Sequence, residues 1–235
     1  MKNAFVTGGS GDIGAAIVRK LKRCGYNAII GYYSNESGAK KLEDETGSIR
    51  IYINVADLIS VKNAFDLVRK KYGRICVLIN CAGVALRQSV VTEVSEEDFD
   101  RVFGVNVKGV FNCSKEAISD MLYSGGGDIV NVSSVWGIDG ASCEVVYSAS
   151  KGAVNSFTKA LAEELEFSDI KVNAVAPSFV RTKMNAHLTA EDEERFLSEH
   201  GLKSLTDCYE VAEAVISLIE GEDSGKILRV ENKID

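Results

Sequence analysis

Short apolar runs alternate with longer amphipathic ones along the whole chain. Residues 4–6 (AFV) read as a buried strand, and 13–23 as a helix. Residues 27–33 (NAIIGYY) form a second strand, followed by a polar helix over SGAKKLEDE and a third strand at 49–55. Val61, Ala64, Phe65 and Val68 then fall at i, i+3, i+4 and i+7, one face of a helix. ICVLIN (75–80) is a continuous apolar strand of the kind found where a sheet is covered on both faces. A long helix is predicted over 96–122, stopped by Ser124 and three glycines, then a strand at 128–134 and an amphipathic helix at 145–165. A strand at 170–177 leads into a polar, charged and irregular stretch, 178–206, with a short helix near 190–199. A last helix shows Val211, Ala214, Val215 and Leu218 on one face, and 226–230 closes as a seventh strand.

Repeated β-α-β units imply an α/β protein with a parallel sheet and helices on both faces. No linker, repeat or low-complexity segment interrupts 1–235, so a single domain is expected. In such a sheet, ligands sit at the carboxyl ends of the strands, near the point where strand order reverses. The candidate motifs below all follow strands.

Composition narrows the partners. The chain has 235 residues and a net charge of -7 with no basic block, which argues against nucleic acid or an anionic membrane. No apolar run reaches the 18 or so residues of a membrane span. The first strand starts within three residues of Met1, leaving no room for a signal peptide, so a cytoplasmic protein is expected. Six cysteines in no CxxC or zinc pattern and only two histidines, His187 and His200, predict reduced thiols and no metal site.

The stretch TGGSGDIG (7–14) joins the first strand to the first helix. Such a turn lets backbone N–H groups approach a phosphate, and the helix N-terminus adds about half a positive charge. Asp12 places a carboxylate in this turn. At a helix start it favours the dipole and can cap N–H groups, while repelling a phosphate. The phosphates can still be met by Gly8, Ser10, Ile13 and Gly14. At the end of the second strand, Tyr32-Tyr33-Ser34-Asn35 carries no carboxylate. An acidic residue there would bond the ribose hydroxyls of NAD and repel the 2′-phosphate of NADP, so its absence leans towards NADP(H), with NAD(H) also possible.

Ser134, Tyr147 and Lys151 are the candidate chemistry. Tyr147 and Lys151 stand at i and i+4 of a helix and share a face, while Ser134 ends the preceding strand. A phenol with a pKa of about 10 must lose roughly three units to exchange a proton near neutrality, on the order of 4 kcal/mol. A neighbouring ammonium supplies this, and Ser134 can donate to a carbonyl oxygen where charge develops.

With these residues the chain resembles the short-chain dehydrogenase/reductase family over essentially its whole length. The matching motifs are TGGSGDIG (7–14), NCAG (80–83), Asn106 in NVKG, Ser134 in NVSS, YSASK (147–151) and NAVAPSFVRTKM (173–184), which holds the only proline, Pro177. The resemblance implies a Rossmann domain with sheet order 3-2-1-4-5-6-7 and a substrate lid at about 178–206. It implies that Tyr147 is the general acid, that Lys151 lowers its pKa and holds the nicotinamide ribose, that Ser134 orients the carbonyl, and that Asn106 anchors a relay water. It implies cofactor contacts at Asn54 and Val55, at Asn80, Ala82 and Gly83, and at Pro177, Val180 and Thr182. A homodimer or homotetramer is also implied. Against the family pattern, Asp12 replaces a Gly, Cys81 an Asn, and Ser178 a Gly. The end VENKID stands where Gly-Gly is common, which makes oligomeric state less secure than chemistry.

Two substrate resemblances remain. One is to 3-oxoacyl-acyl-carrier-protein reductases, whose acidic carrier calls for basic residues beside the cleft. The segments SDMLYSGGGD and EFSD lack them, though Arg87, Lys108 and Lys115 could contribute. The other, carried by SSVWGIDGASCEVVYSASKGAVN, is to bacterial reductases acting on the 5-aminopentanone group of modified elongation factor P. There Glu144 would pair with a substrate amine and Trp136 would wall the pocket. Alternatively, Glu144 only favours a helix N-terminus and Trp136 packs in a core. The substrate is thus a small-molecule ketone or one linked to a carrier or protein. A non-catalytic dinucleotide-binding sensor or scaffold is the rival from another class.

Overall fold

The computed structural model describes residues 2–182 and 189–234. Seven parallel strands form the main sheet: β1 (Asn3–Thr7), β2 (Asn27–Tyr32), β3 (Ile49–Tyr52), β4 (Ile75–Asn80), β5 (Gly127–Val132), β6 (Ile170–Pro177) and, after a short strand β7 (Leu202–Ser204), β8 (Ile227–Val230). Their order is β3-β2-β1-β4-β5-β6-β8, the predicted doubly wound sheet. The order reverses between β1 and β4, which opens a crevice at their carboxyl ends.

Helices cover both faces because the central strands are apolar on both. Val6, Ile30 and Val175 look towards α1 (Asp12–Arg23), α2 (Glu36–Thr46) and α9 (Cys208–Glu220). Phe5, Ile29 and Leu78 look towards α3 (Leu58–Tyr72), α5 (Gly109–Ser124) and α7 (Val145–Glu164). Val61, Ala64, Phe65 and Val68 of α3 are all buried, as their spacing requires.

Several expectations need correction. The third strand stops at Tyr52 rather than at 55, because Asn54 turns the chain: its Oδ1 accepts the Ala56 N–H at 3.1 Å. The fifth strand ends at Val132, so Ser134 lies in the loop beyond it. The single helix expected at 96–122 is α4 (Glu96–Phe103) and α5 joined by a π-helical turn, Gly104–Lys108. One extra residue in that turn shifts the face presented by everything before it, and such turns recur at functional sites. The stretch 178–206 is less irregular than its polarity suggests. It carries α8 (Ala190–His200) and β7, which pairs with β9 (Asn232–Lys233) near the chain end, while Val180 bridges to Thr206. A one-turn helix, α6 (Trp136–Asp139), also escaped the periodicity, being too short to show any. The middle of the expected lid, 183–188 with His187, and the motif end Lys183-Met184 lie outside the described residues.

The crevice is held open from β1. Thr7 Oγ1 accepts the N–H groups of Cys81 and Ala82 at 3.1 and 3.2 Å, tying the loop after β4 to the end of β1. Thr7→Val leaves the Ala82 N–H unpaired, while the Cys81 N–H keeps the Ile79 carbonyl at 3.1 Å, at a cost of about 2 kcal/mol. We expect the melting temperature to fall by several degrees in a thermal denaturation scan. An unchanged melt would show that the loop is held by other means.

Candidate active site

The glycine-rich turn leaves β1 and enters α1 with no room for side chains. Gly8 has φ +64°, and a Cβ there would lie 2.8 Å from Ala82 Cα. A Cβ on Gly14 would sit 2.3 Å from the Gly8 carbonyl oxygen, so helix and turn pack backbone to backbone. Gly11 is the N-cap and provides no side chain, while Asp12 opens the first turn. The first-turn N–H groups of Ile13 and Gly14 have no carbonyl of their own helix to donate to. Asp12 is thus a first-turn charge, not the cap residue. The turn is braced from the side by Asn35, whose Nδ2 donates to the Ser10 carbonyl at 2.9 Å while its Oδ1 caps α2 through the Gly38 N–H at 3.1 Å. The cradle formed by Gly8, Ser10, Ile13 and Gly14 is of the kind that fits a dinucleotide pyrophosphate.

Around it lie the other predicted contacts. Tyr33 and Ser34 are exposed at the tip of β2, with Glu36 two residues further on, 3.9 Å from Arg50. Asn54 is engaged in its own turn, and the Val55 carbonyl accepts from Asn112 Nδ2 at 2.9 Å. The Asn80 side chain points into the protein, where Nδ2 donates to Ser114 Oγ and Asn131 Oδ1 at 3.1 and 2.9 Å. The backbone of Ala82 and Gly83, not the Asn80 amide, therefore faces the crevice. Pro177 ends β6, and its carbonyl accepts the Val135 N–H at 3.0 Å. Val180 is buried beside Thr206, with Thr182 half-buried just beyond. Ser178, the departure from the family's Gly, is buried with its hydroxyl 3.0 Å from that of Thr206.

Tyr147, Lys151, Ser134 and Asn106 converge at the carboxyl end of β5. Tyr147 and Lys151 share one face of α7, with the ammonium 5.7 Å from the phenol ring centroid. Lys151 is 5% exposed and donates to the Val132 carbonyl at 2.8 Å. Burial pulls its pKa down to about 8. Ser134 accepts the Trp136 N–H at 3.2 Å and is hydrogen-bonded to Tyr147. Burial, then the nearby Glu144, push the phenol pKa up, and the bond to Ser134 pulls it down. The expected downward pull from Lys151 is not among the influences on the phenol, and its ammonium is turned to the Val132 carbonyl.

Asn106 lies in the π turn and is 1% exposed. Its Oδ1 accepts the Val84 N–H at 2.8 Å, and its Nδ2 donates to the Val84 carbonyl at 2.9 Å and Ser150 Oγ at 3.0 Å. The side-chain amide thus makes all three of these bonds to protein groups. A Cβ on Gly83 would lie 3.5 Å from both Asn106 Oδ1 and Lys151 Nζ, so the loop after β4 passes directly over this pair.

Two further residues border Tyr147. Trp136 meets its ring edge-on at 6.1 Å and 86°, and packs on Phe179 at 6.5 Å. Glu144 is the N-cap residue of α7, yet its side chain makes no capping bond. It is buried rather than at a rim, 8% exposed, with its carboxyl pKa pushed up by burial to about 7. Thr7, Asn35 and Phe179 did not stand out in the sequence. Their effect is on neighbours distant in the chain, and no local pattern marks that. Among the described residues no cluster of His, Cys, Asp or Glu could hold a metal, and no helix is long and apolar enough to cross a membrane.

A phosphate cradle at the strand-order reversal beside a Ser-Tyr-Lys cluster defines a nicotinamide-dependent oxidoreductase. The family model for short chain dehydrogenases matches residues 2–193, and the chain belongs to that family. A 3-oxoacyl-[acyl-carrier-protein] reductase of Thermotoga maritima is 37% identical over 98% of this chain and 96% of its own. An acetoacetyl-CoA reductase of Cupriavidus necator is 34% identical over 94% and 92%. The crystal structure of a 3-ketoacyl-(acyl-carrier-protein) reductase from Brucella melitensis, complexed with NADH, superposes with a TM-score of 0.92 at 26% identity, covering 98% of this chain and 96% of that one. The protein is an NAD(P)H-dependent ketone reductase.

The buried ammonium has a stability signature. Its folded pKa of about 8 lies below the ordinary 10.5, so between these values the unfolded chain binds the extra proton. Stability from this group therefore rises with pH across that window, and below it the full burial cost is present. Lys151→Met should be more stable than wild type near pH 7, by on the order of 3 kcal/mol, with the gap closing towards pH 10.5 in parallel urea titrations. A gap independent of pH would contradict the lowered pKa.

Proposed function

We propose that this reductase acts on a 3-oxoacyl thioester or a ketone of similar shape, giving the secondary alcohol, with Tyr147 as the proton donor. The observation that carries the reading is the Ser134–Tyr147–Lys151 cluster beside the cradle, with Gly83 passing over Lys151 and Asn106. The reduced nicotinamide, when bound, supplies the hydride to the carbonyl carbon. Ser134 donates to the carbonyl oxygen and holds the Tyr147 hydroxyl. Tyr147 delivers its proton to the same oxygen. Lys151 carries the positive charge that favours the resulting phenolate, and its ammonium turns from Val132 to the ribose. Asn106 fixes Val84 and Ser150, and through them the position of Lys151. The exposed hydroxyls at the tip of β2, with no carboxylate among Tyr33, Ser34 and Asn35, support NADP(H) over NAD(H). Residues 178–206 act as the substrate lid, tethered at Val180 and β7. The exposed Phe99 and Phe111 of α4 and α5 support assembly as a homodimer or homotetramer.

A second substrate reading has its own observation. Glu144 is buried three residues before Tyr147, and among the described residues no ion pair reaches it. A carboxylate so placed suits a ketone bearing a protonated amine, which would restore its ionised form.

NADPH oxidation in the presence of acetoacetyl-CoA tests the main reading. Wild type should turn over and prefer NADPH to NADH by at least tenfold in kcat/KM. Tyr147→Phe should lose at least a thousandfold in rate while binding cofactor normally. Cofactor binding without turnover on any ketone would favour the non-catalytic sensor instead. For the second reading, Glu144→Gln is compared on a primary-amino ketone and on the neutral thioester. Loss of the amino ketone alone, on the order of a hundredfold, is expected, and an equal loss on both would remove the pairing.

A further inference from the structure

The last strand of the main sheet and the residues after it reach back to the catalytic cluster. Arg229, in β8, forms a two-pronged pair with Asp139, Nη1 to Oδ2 at 2.8 Å and Nη2 to Oδ1 at 2.5 Å, across 90 positions of sequence. The pairing draws the Asp139 carboxyl below its ordinary range. Asp139 ends α6, the single turn that begins with Trp136, the side chain set edge-on against Tyr147. At its start that turn packs closely on α7, where a Cβ on Gly137 would lie 2.6 Å from the Lys151 carbonyl carbon; the Arg229 pair holds its far end. The Trp136 and Gly137 N–H groups bond to Ser134 at 3.2 and 3.0 Å, and Asn155 Nδ2 donates to the Gly137 carbonyl at 3.0 Å.

The residues after Arg229 hold the opposite wall. Glu231 lies 3.7 Å from Arg229 and 2.9 Å from Lys233. Asn232–Lys233 pair with β7 as β9, and the Ile234 N–H donates to the Gly201 carbonyl at 3.0 Å. Gly201 directly follows α8, where His200 stacks on Phe196 at 4.2 Å and Phe196 packs on Phe179 at 4.9 Å. Phe179 returns the contact to Trp136. A small cavity of about 110 Å³ lies between the two walls, bordered by Trp136, Asp139, Phe196 and Arg229. The Arg229 and Asp139 side chains are 34% and 54% exposed, so the pair adds little to global stability. Its effect falls on the placement of one helical turn.

We propose that Arg229, acting through Asp139, is a positioning residue for ketone reduction: it keeps Trp136 seated against Tyr147, and residues 231–234 tie α8 to the same frame. The proposal rests on the reading of Tyr147 as the proton donor. Substrate orientation is steeply sensitive to the position of such a wall. The cofactor cradle, on β1 and α1, lies apart from the clamp.

Trp136 is the only tryptophan, so its emission reports this one site. In Arg229→Met we expect red-shifted Trp136 emission with lower anisotropy, and kcat/KM for the ketone reduced on the order of tenfold. Cofactor dissociation constant and melting temperature should stay at wild-type values. The exchanged pair, Asp139→Arg with Arg229→Asp, should recover most of both the emission and the kcat/KM. Wild-type kcat/KM in Arg229→Met would overturn the proposal, whatever the emission does. So would a loss that tracks a lowered melting temperature and is not recovered by the exchange. If the wild-type protein reduces no ketone, the reading of the site fails, and the emission comparison alone decides whether Arg229 seats Trp136.

Discussion

Burying an ammonium group in a crevice is the constraint around which this protein is arranged. Lys151 is nearly inaccessible, and a bare charge there would cost more than the fold can offset. The Val132 carbonyl, freed where β5 ends, accepts one of its protons. That carbonyl is available only because the strand stops short of Ser134. The same early stop places the Ser134 hydroxyl beside Tyr147 rather than in the sheet. Asn106 and Gly83 then close over the lysine from the other side, the first because a π turn rotates it inward, the second because it has no side chain to obstruct.

Tyr147 is affected by its surroundings in two directions. Burial and Glu144 hold it neutral, while Ser134 lowers its pKa. A phenol kept protonated until a carbonyl oxygen begins to gain charge is a suitable acid for reduction, since the proton is in place when it is needed. In the protein alone, the lysine charge is directed elsewhere. A group that turns the ammonium from Val132 towards the crevice would bring that charge nearer the phenol, and so couple cofactor binding to acidity.

Much of this was legible in the sequence. The alternation of β1 to β6 with their helices, the buried face of α3 and the carboxyl-end placement of the motifs followed from periodicity alone, because a doubly covered parallel sheet imposes continuous apolar runs. The Tyr147–Lys151 pair followed from helical spacing. Other features were hidden. The π turn differs from an α-helix by one residue, which no hydrophobic pattern resolves at that length. The polar stretch 178–206 looked irregular because β7 has only three residues and its partner lies close to the chain end. Within the same stretch Glu193 reaches Arg181 at 2.6 Å, a contact that no local pattern marks.

The sequence by itself determined the sheet order, the glycine-rich turn after β1 and the candidate Ser134, Tyr147 and Lys151 set, since these depend on local spacing and on a family pattern carried by short motifs. The tertiary structure decided what each side chain is left to do. It committed the Asn106 amide to Val84 and Ser150, sent the Asn80 amide inward, buried Glu144 with no ion pair among the described residues and brought Arg229 to Asp139. Those outcomes depend on which donors and acceptors meet across long separations. That competition is settled only when the whole chain is packed.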